Sequence, residues 1–208
     1  MDAAPLFLHN HTMSHLAYTN TTFVTSAPDC ARLPPDQGRE VAFIGRSNAG
    51  KSSALNTLCR KKIARTSKTP GRTQLLNVFQ ITPHQRLIDL PGYGYAKVAK
   101  KTQQQWQRAI DDYLATRNAL SGLVLVMDSR HPLKPMDAHL LDWCAQCALP
   151  VHLLLTKSDK LSKNAANATR MAVEKQCIDE KTRVQLFSAH TRTGVDALQK
   201  QLDVWLNA

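Results

Sequence analysis

The chain has 208 residues, 43% of them hydrophobic, which suits one domain with a sizeable core. It contains no apolar run of membrane-spanning length and no basic-then-apolar leader, and its five cysteines are scattered; this excludes a membrane-spanning helix and predicts a cytoplasmic protein with free thiols. Twenty-seven Lys and Arg face sixteen Asp and Glu, a formal charge of +11, which points to a polyanionic partner, nucleic acid or membrane surface, without choosing between them.

Residues 1–21 are polar, carry His9, His11 and His15, and read as a flexible arm rather than a metal site, ahead of a single domain at 22–208. Thr21–Thr25 has strand propensity and fits a sheet edge. Glu40–Ile44 reads as a buried strand. It leads into Gly45-Arg46-Ser47-Asn48-Ala49-Gly50-Lys51-Ser52, a complete G-x-x-x-x-G-K-[ST] phosphate-binding loop, and Ser53–Leu58 then begins a helix. Glycines let the backbone N–H groups point inward at phosphates, Lys51 reaches the terminal phosphates, and the Ser52 hydroxyl can ligate Mg²⁺.

Arg60–Thr73 is basic, lacks acids and periodicity, and reads as a long mobile loop. Gln74–Ile81 and Gln85–Leu90 read as a hairpin turning at Thr82-Pro83-His84. The second strand ends at Asp89-Leu90-Pro91-Gly92, where a carboxylate can support Mg²⁺ and Gly92 can bring its N–H to a γ-phosphate. Thr102–Arg117, Pro135–Cys147, Asn164–Ile178 and Gly194–Leu206 read as helices. Leu123–Met127, Val151–Leu155 and Arg183–Phe187 read as strands. Strands alternating with helices predict an α/β domain: a mostly parallel sheet of six or seven strands, helices on both faces, and ligand loops at the carboxyl ends of the strands. Cys144 and Cys147, the only close cysteine pair, share a helical face with Leu140; no second pair completes a zinc site, so both read as buried thiols.

The nucleotide base is read from Thr156-Lys157-Ser158-Asp159. A carboxylate at that strand end can accept from guanine N1–H and the exocyclic amine; adenine would leave it unpaired. Ser188-Ala189, after the last strand, is placed to give a backbone N–H to the guanine O6.

Together these motifs resemble the EngB/YihA family of bacterial GTPases, within the TrmE-Era-EngA-EngB-Septin-like group. The matching stretches are Gly45–Ser53, Thr69–Gln74, Asp89–Ala96 and Leu155–Leu161, and the resemblance spans roughly residues 22–206. It implies a GTP/GDP site made by Gly45–Ser52, by Gly71, Arg72, Thr73, Gln74 and Leu75, by Asp89, Leu90, Pro91 and Gly92, by Thr156–Asp159, and by Phe187, Ser188 and Ala189. It implies Lys51 on the β- and γ-phosphates, Ser52 and Thr73 as Mg²⁺ ligands, Asp89 supporting Mg²⁺ through water, Lys157 along the base and Asp159 selecting guanine. Thr156 stands where most GTPases have Asn, and this family too carries Thr there. Tyr93 stands where many small GTPases carry a water-orienting Gln, which predicts slow hydrolysis assisted by a partner or by K⁺, with Asn48 the candidate K⁺ ligand.

The resemblance further implies a factor in large ribosomal subunit assembly, needed for normal cell division and septation. Basic residues at Arg60, Lys61, Lys62, Arg65, Lys68 and Arg72 and at Lys97, Lys100 and Lys101 crowd the loops that GTP would order, so ribosomal RNA is the expected partner. A regulatory switch acting on a division protein is the alternative. With no heptads or obvious apolar patch, a monomer is expected.

Overall fold

A computed structural model of the chain describes residues 16–64, 75–94, 100–177 and 181–208. The strands are Thr22–Ala27 (β1), Arg39–Gly45 (β2), Leu76–Thr82 (β3), Gln85–Asp89 (β4), Leu120–Asp128 (β5), Val151–Thr156 (β6) and Thr182–Leu186 (β7). The helices are Lys51–Leu58 (α1), Lys100–Thr116 (α2), Pro135–Gln146 (α3), Lys163–Gln176 (α4) and Val195–Leu206 (α5).

β2 is buried from Glu40 to Gly45 and lies mid-sheet, because its side chains are apolar on both faces. The seven strands run in the order β1-β3-β4-β2-β5-β6-β7. β4, β2, β5, β6 and β7 are parallel, whereas β1 and β3 add an antiparallel edge. The expected hairpin is β3–β4, closed by Pro83 and His84. Successive β2 side chains alternate between two cores. Val41 and Phe43 pack with Leu55 and Leu58 of α1 and Leu198 and Leu202 of α5. Ala42 and Ile44 pack with Ile110 and Tyr113 of α2, Cys144 of α3 and Val173 of α4.

At the entry to β2, fully buried Glu40 accepts from Arg86 Nη1 (2.8 Å), Arg117 Nη2 (2.7 Å) and Tyr113 Oη (3.0 Å). A buried carboxylate is tolerable only with such partners. This network ties β2, β4 and the end of α2 at the amino ends of the strands, opposite the ligand loops.

Two expectations need correction. The arm does not extend to residue 21: Tyr18 is buried and its hydroxyl donates to Asp203 Oδ1 of α5 at 2.8 Å, so the segment from Leu16 is docked on the domain. An aromatic ring with an acceptor in reach makes this packing favourable. Residues 1–15, His9, His11 and His15 included, lie outside the described residues. Cys144 is buried, which pushes its thiol up to about 12, but Cys147 is exposed. Helix α3 ends at Gln146 and the chain turns away through Ala148 at φ 54°, so helical periodicity no longer holds at Cys147. All five cysteines are free thiols.

Candidate nucleotide-binding site

β2 delivers the chain to its carboxyl end at Gly45, and α1 leaves the same point at Lys51. Gly50 caps α1 with φ 101°, a conformation that β-carbon-bearing residues rarely adopt. Gly45 is fixed by proximity: a β-carbon there would lie 2.3 Å from the Val126 carbonyl oxygen of β5. Asn48 sits at φ 63°, which asparagine tolerates better than most residues. Ser47 N–H donates to the Tyr93 carbonyl (3.0 Å) and Tyr93 N–H to the Gly45 carbonyl (3.3 Å), so the loop is stitched to the segment after β4. The Asn48 side chain is exposed and makes no hydrogen bond among the described residues; only its backbone holds the loop.

Lys51 is nearly buried and its Nζ is paired with Asp89 Oδ1 at the end of β4. Asn77 Nδ2 of β3 lies 3.4 Å from the other Asp89 oxygen. Leu90, Pro91 and Gly92 are buried, and Gly92 lies against the loop, where a β-carbon would come within 3.2 Å of the Gly45 carbonyl oxygen. Ser52, next to Lys51 in the first turn of α1, and Asp89, paired with Lys51, are hard oxygen donors of the kind Mg²⁺ takes. No cluster of three His, Cys, Asp or Glu side chains among the described residues offers a nucleotide-independent metal site. Gly71, Arg72, Thr73 and Gln74 lie outside the described residues. Leu75 immediately precedes β3, whose Asn77 is paired in register with Asp89.

The base-side loops converge on the same edge. The buried Thr156 hydroxyl donates to the Ala49 carbonyl and lies 3.0 Å from that of Met127. Lys157 adopts φ 58° and spans 2.7 Å to the Asn48 carbonyl and 2.9 Å to Asp128 Oδ2. Asp159 Oδ1 accepts from Ser188 Oγ at 2.6 Å, and that bond holds the Asp159 carboxyl below the usual range. Ser158 N–H and Oγ both reach the carbonyl of fully buried Phe187 at 3.1 Å, joining the β6 and β7 loops. Ser188 N–H is spent on the Thr193 carbonyl (3.0 Å), whereas Ala189 N–H has no backbone acceptor among the described residues. Gly45–Ser52, Asp89–Gly92, Thr156–Asp159 and Phe187–Ala189 therefore share one edge of the sheet.

Three participants were not singled out from the sequence. Asp128, at the carboxyl end of β5, holds Lys157; burial pushes its carboxyl up, but bonds from Arg130 and Lys157 outweigh this and hold it low. Its place at a strand tip was the signal available. Asn77 supports Asp89. Asp137 of α3 accepts the Tyr93 hydroxyl, and its other oxygen accepts Lys134 N–H at 2.9 Å. Burial and Asp137 push the Tyr93 hydroxyl far above its ordinary range, so the phenol is neutral and committed. A cavity of about 240 Å³ opens between Arg46–Ala49, Asp128, Arg130 and Lys157.

The family model described as "50S ribosome-binding GTPase" matches residues 40–157, the stretch from β2 through Lys157. A probable GTP-binding protein EngB of Coxiella burnetii is 53% identical over 195 residues, covering 92% of this chain and 95% of that protein. Among solved structures, a crystal structure of a probable GTP-binding protein engB superposes with TM-score 0.66 at 20% identity, covering 81% of this chain and 98% of that one. Era in complex with MgGDPNP and a segment of 16S ribosomal RNA gives TM-score 0.64 at 22% identity, covering 81% of this chain and 57% of Era. The fold, the phosphate loop and this degree of identity over nearly the whole chain lead to one conclusion: the chain belongs to the EngB family of GTP-binding proteins and carries its GTPase domain.

Proposed function

We propose that this GTPase is a GTP-gated factor in assembly of the large ribosomal subunit, acting in the cytoplasm as a monomer and required for normal division and septation. The observation that carries the reading is the match of residues 40–157, which contain the phosphate loop, to a family described as binding the 50S ribosome. The +11 charge supports an RNA partner.

In this reading Lys51 would leave Asp89 for the β- and γ-phosphates, Ser52 and Thr73 would hold Mg²⁺, and Asp89 would support it through water. Mg²⁺ would neutralise charge on the phosphate oxygens. Asp159, preset by Ser188, accepts from guanine, and Ala189 N–H donates to O6. Lys157, clamped by Asp128, lies along the base. Because the Tyr93 hydroxyl is committed to Asp137, Tyr93 does not stand in for a water-orienting glutamine, and intrinsic turnover is slow. Asn48, whose side chain is exposed and makes no hydrogen bond among the described residues, is the proposed K⁺ ligand; equal turnover in K⁺ and Na⁺, with and without subunits, would remove that role.

Co-sedimentation with ribosomal subunits tests the main reading. Binding to the large subunit with a non-hydrolysable GTP analogue and not with GDP, weakened by salt, is expected. Absence of binding in every state would favour a switch acting on a division protein.

A further inference from the structure

We infer that a second surface, separate from the GTP-responsive loops, docks RNA phosphates: the groove between the end of α1 and the β7–α5 loop. The inference rests on the ribosomal reading and names the part of the protein that meets RNA irrespective of nucleotide.

The groove, about 570 Å³, is lined by Asn56, Thr57, Arg60, Lys61, Lys62 and Arg192. Four of these six are cationic and none is acidic. All four cations are exposed, and none forms an ion pair among the described residues, whereas acids elsewhere are paired by Arg32, Arg117 and Arg130. Uncompensated positive charge on a concave surface concentrates field and attracts a polyanion.

The groove is also built. Asn56 Nδ2 donates to the Ala64 carbonyl and Asn56 Oδ1 accepts Ala64 N–H, each at 2.8 Å, so α1 clamps the Arg60–Ala64 turn onto itself. Arg60 and Arg192 hold the left-handed conformation, at φ 52° and 60°. Arg60, Lys61 and Lys62 therefore do not need GTP to be positioned, in contrast to the expectation that they move with the loop that follows. Arg192 reaches them from the far end of the chain because α1 and α5 pack on the same sheet face. Lysine and arginine side chains at a fixed turn suit the regular spacing of a nucleic-acid backbone and read no sequence.

The test compares full-length protein with the Lys61→Gln/Lys62→Gln/Arg192→Gln variant. Binding to deproteinised 23S ribosomal RNA and to intact large subunits is titrated against salt, with GDP and with the GTP analogue. The variant should bind RNA about 10-fold or more weakly near 0.1 M salt, and its log–log salt slope should fall by about 2, since each lost phosphate contact removes about 0.7–0.9. On deproteinised RNA the loss should be equal in both nucleotide states, and on large subunits it should appear with the GTP analogue, with GDP affinity unchanged. An unchanged slope alongside wild-type RNA binding would overturn the groove alone. Loss of subunit binding without loss of RNA binding would assign it to an acidic ribosomal protein and also overturn it. Failure of the wild type to bind RNA or subunits at all would remove the ribosomal reading and the groove together.

Discussion

The Lys51 ammonium rests on the Asp89 carboxylate, both side chains nearly buried. The two nearly buried charges thus neutralise each other, and under the proposed function a bound nucleotide would separate them. A buried charge is costly without its partner, so phosphate at Lys51 and Mg²⁺ near Asp89 would have to replace the pair together. Asp89→Asn keeps the shape and removes the counter-charge. It should lower GTP turnover about 100-fold and make GTP affinity nearly the same in Mg²⁺ and in EDTA. Fluorescent-nucleotide titrations in the two buffers check this; an Mg²⁺ dependence equal to wild type would refute the assignment of Asp89.

Guanine selection should reside in one carboxylate. Asp159 is aimed by Ser188, with a 2.6 Å bond to one oxygen. Asp159→Asn replaces an acceptor by a donor. Xanthine has a carbonyl where guanine has its exocyclic amine, so the variant should lose GDP affinity by about 100-fold or more and gain XDP affinity. Ser188→Ala should weaken GDP binding less, about 5-fold, because it removes only the bond that orients the carboxylate. Competition between GDP and XDP for a labelled nucleotide reads both effects.

Tyr93 offers a test of what does not catalyse. Its hydroxyl donates to Asp137 rather than facing outward. Tyr93→Phe should leave the GTPase rate within about twofold of wild type. It should destabilise the fold by about 1–3 kcal/mol, since Asp137 keeps only its Lys134 bond in a buried site. Urea unfolding and single-turnover hydrolysis separate the two; a rate loss of about 10-fold without instability would place the hydroxyl in the reaction.

The phosphate loop was legible because its chemistry is contiguous: strand, glycine turn, lysine, serine and helix lie within residues 40–58. Asp89 and Asp159 were legible as acids at strand tips, and the parallel topology brings every such tip to one edge. Asp137 was not, because a lone acid in a helix's first turn signals capping, and only the folded chain brings that turn to Tyr93. Asn56 escaped notice for a similar reason, since its two bonds to Ala64 depend on how the chain leaves α1. Cys147 was misread because helical periodicity carries no information about where the helix stops. The docking of Tyr18 on Asp203 joins positions too far apart in sequence for any local pattern to announce it.

The remaining prediction concerns pH. His152 of β6 is buried, and its Nε2 lies 2.8 Å from the Gln185 side-chain oxygen, so that nitrogen carries the proton. Its Nδ1 has no partner among the described residues, and its ring abuts Trp205 of α5, edge to face. Protonating Nδ1 would bury a donor and a charge with nothing to accept either, and burial accordingly lowers the His152 pKa to about 4. An unfolded histidine titrates near 6.5. The unfolded chain therefore binds more protons between about pH 6.5 and 4, so this stabilisation is complete above 6.5 and is lost as pH falls through that window. Between pH 7 and 5 the loss should be about 2 kcal/mol. His152→Gln removes the titration and should flatten that part of the stability curve, whatever its cost at pH 7. Thermal melts of both proteins from pH 7.5 to 4.5 check it, and parallel slopes would show that His152 charges without penalty.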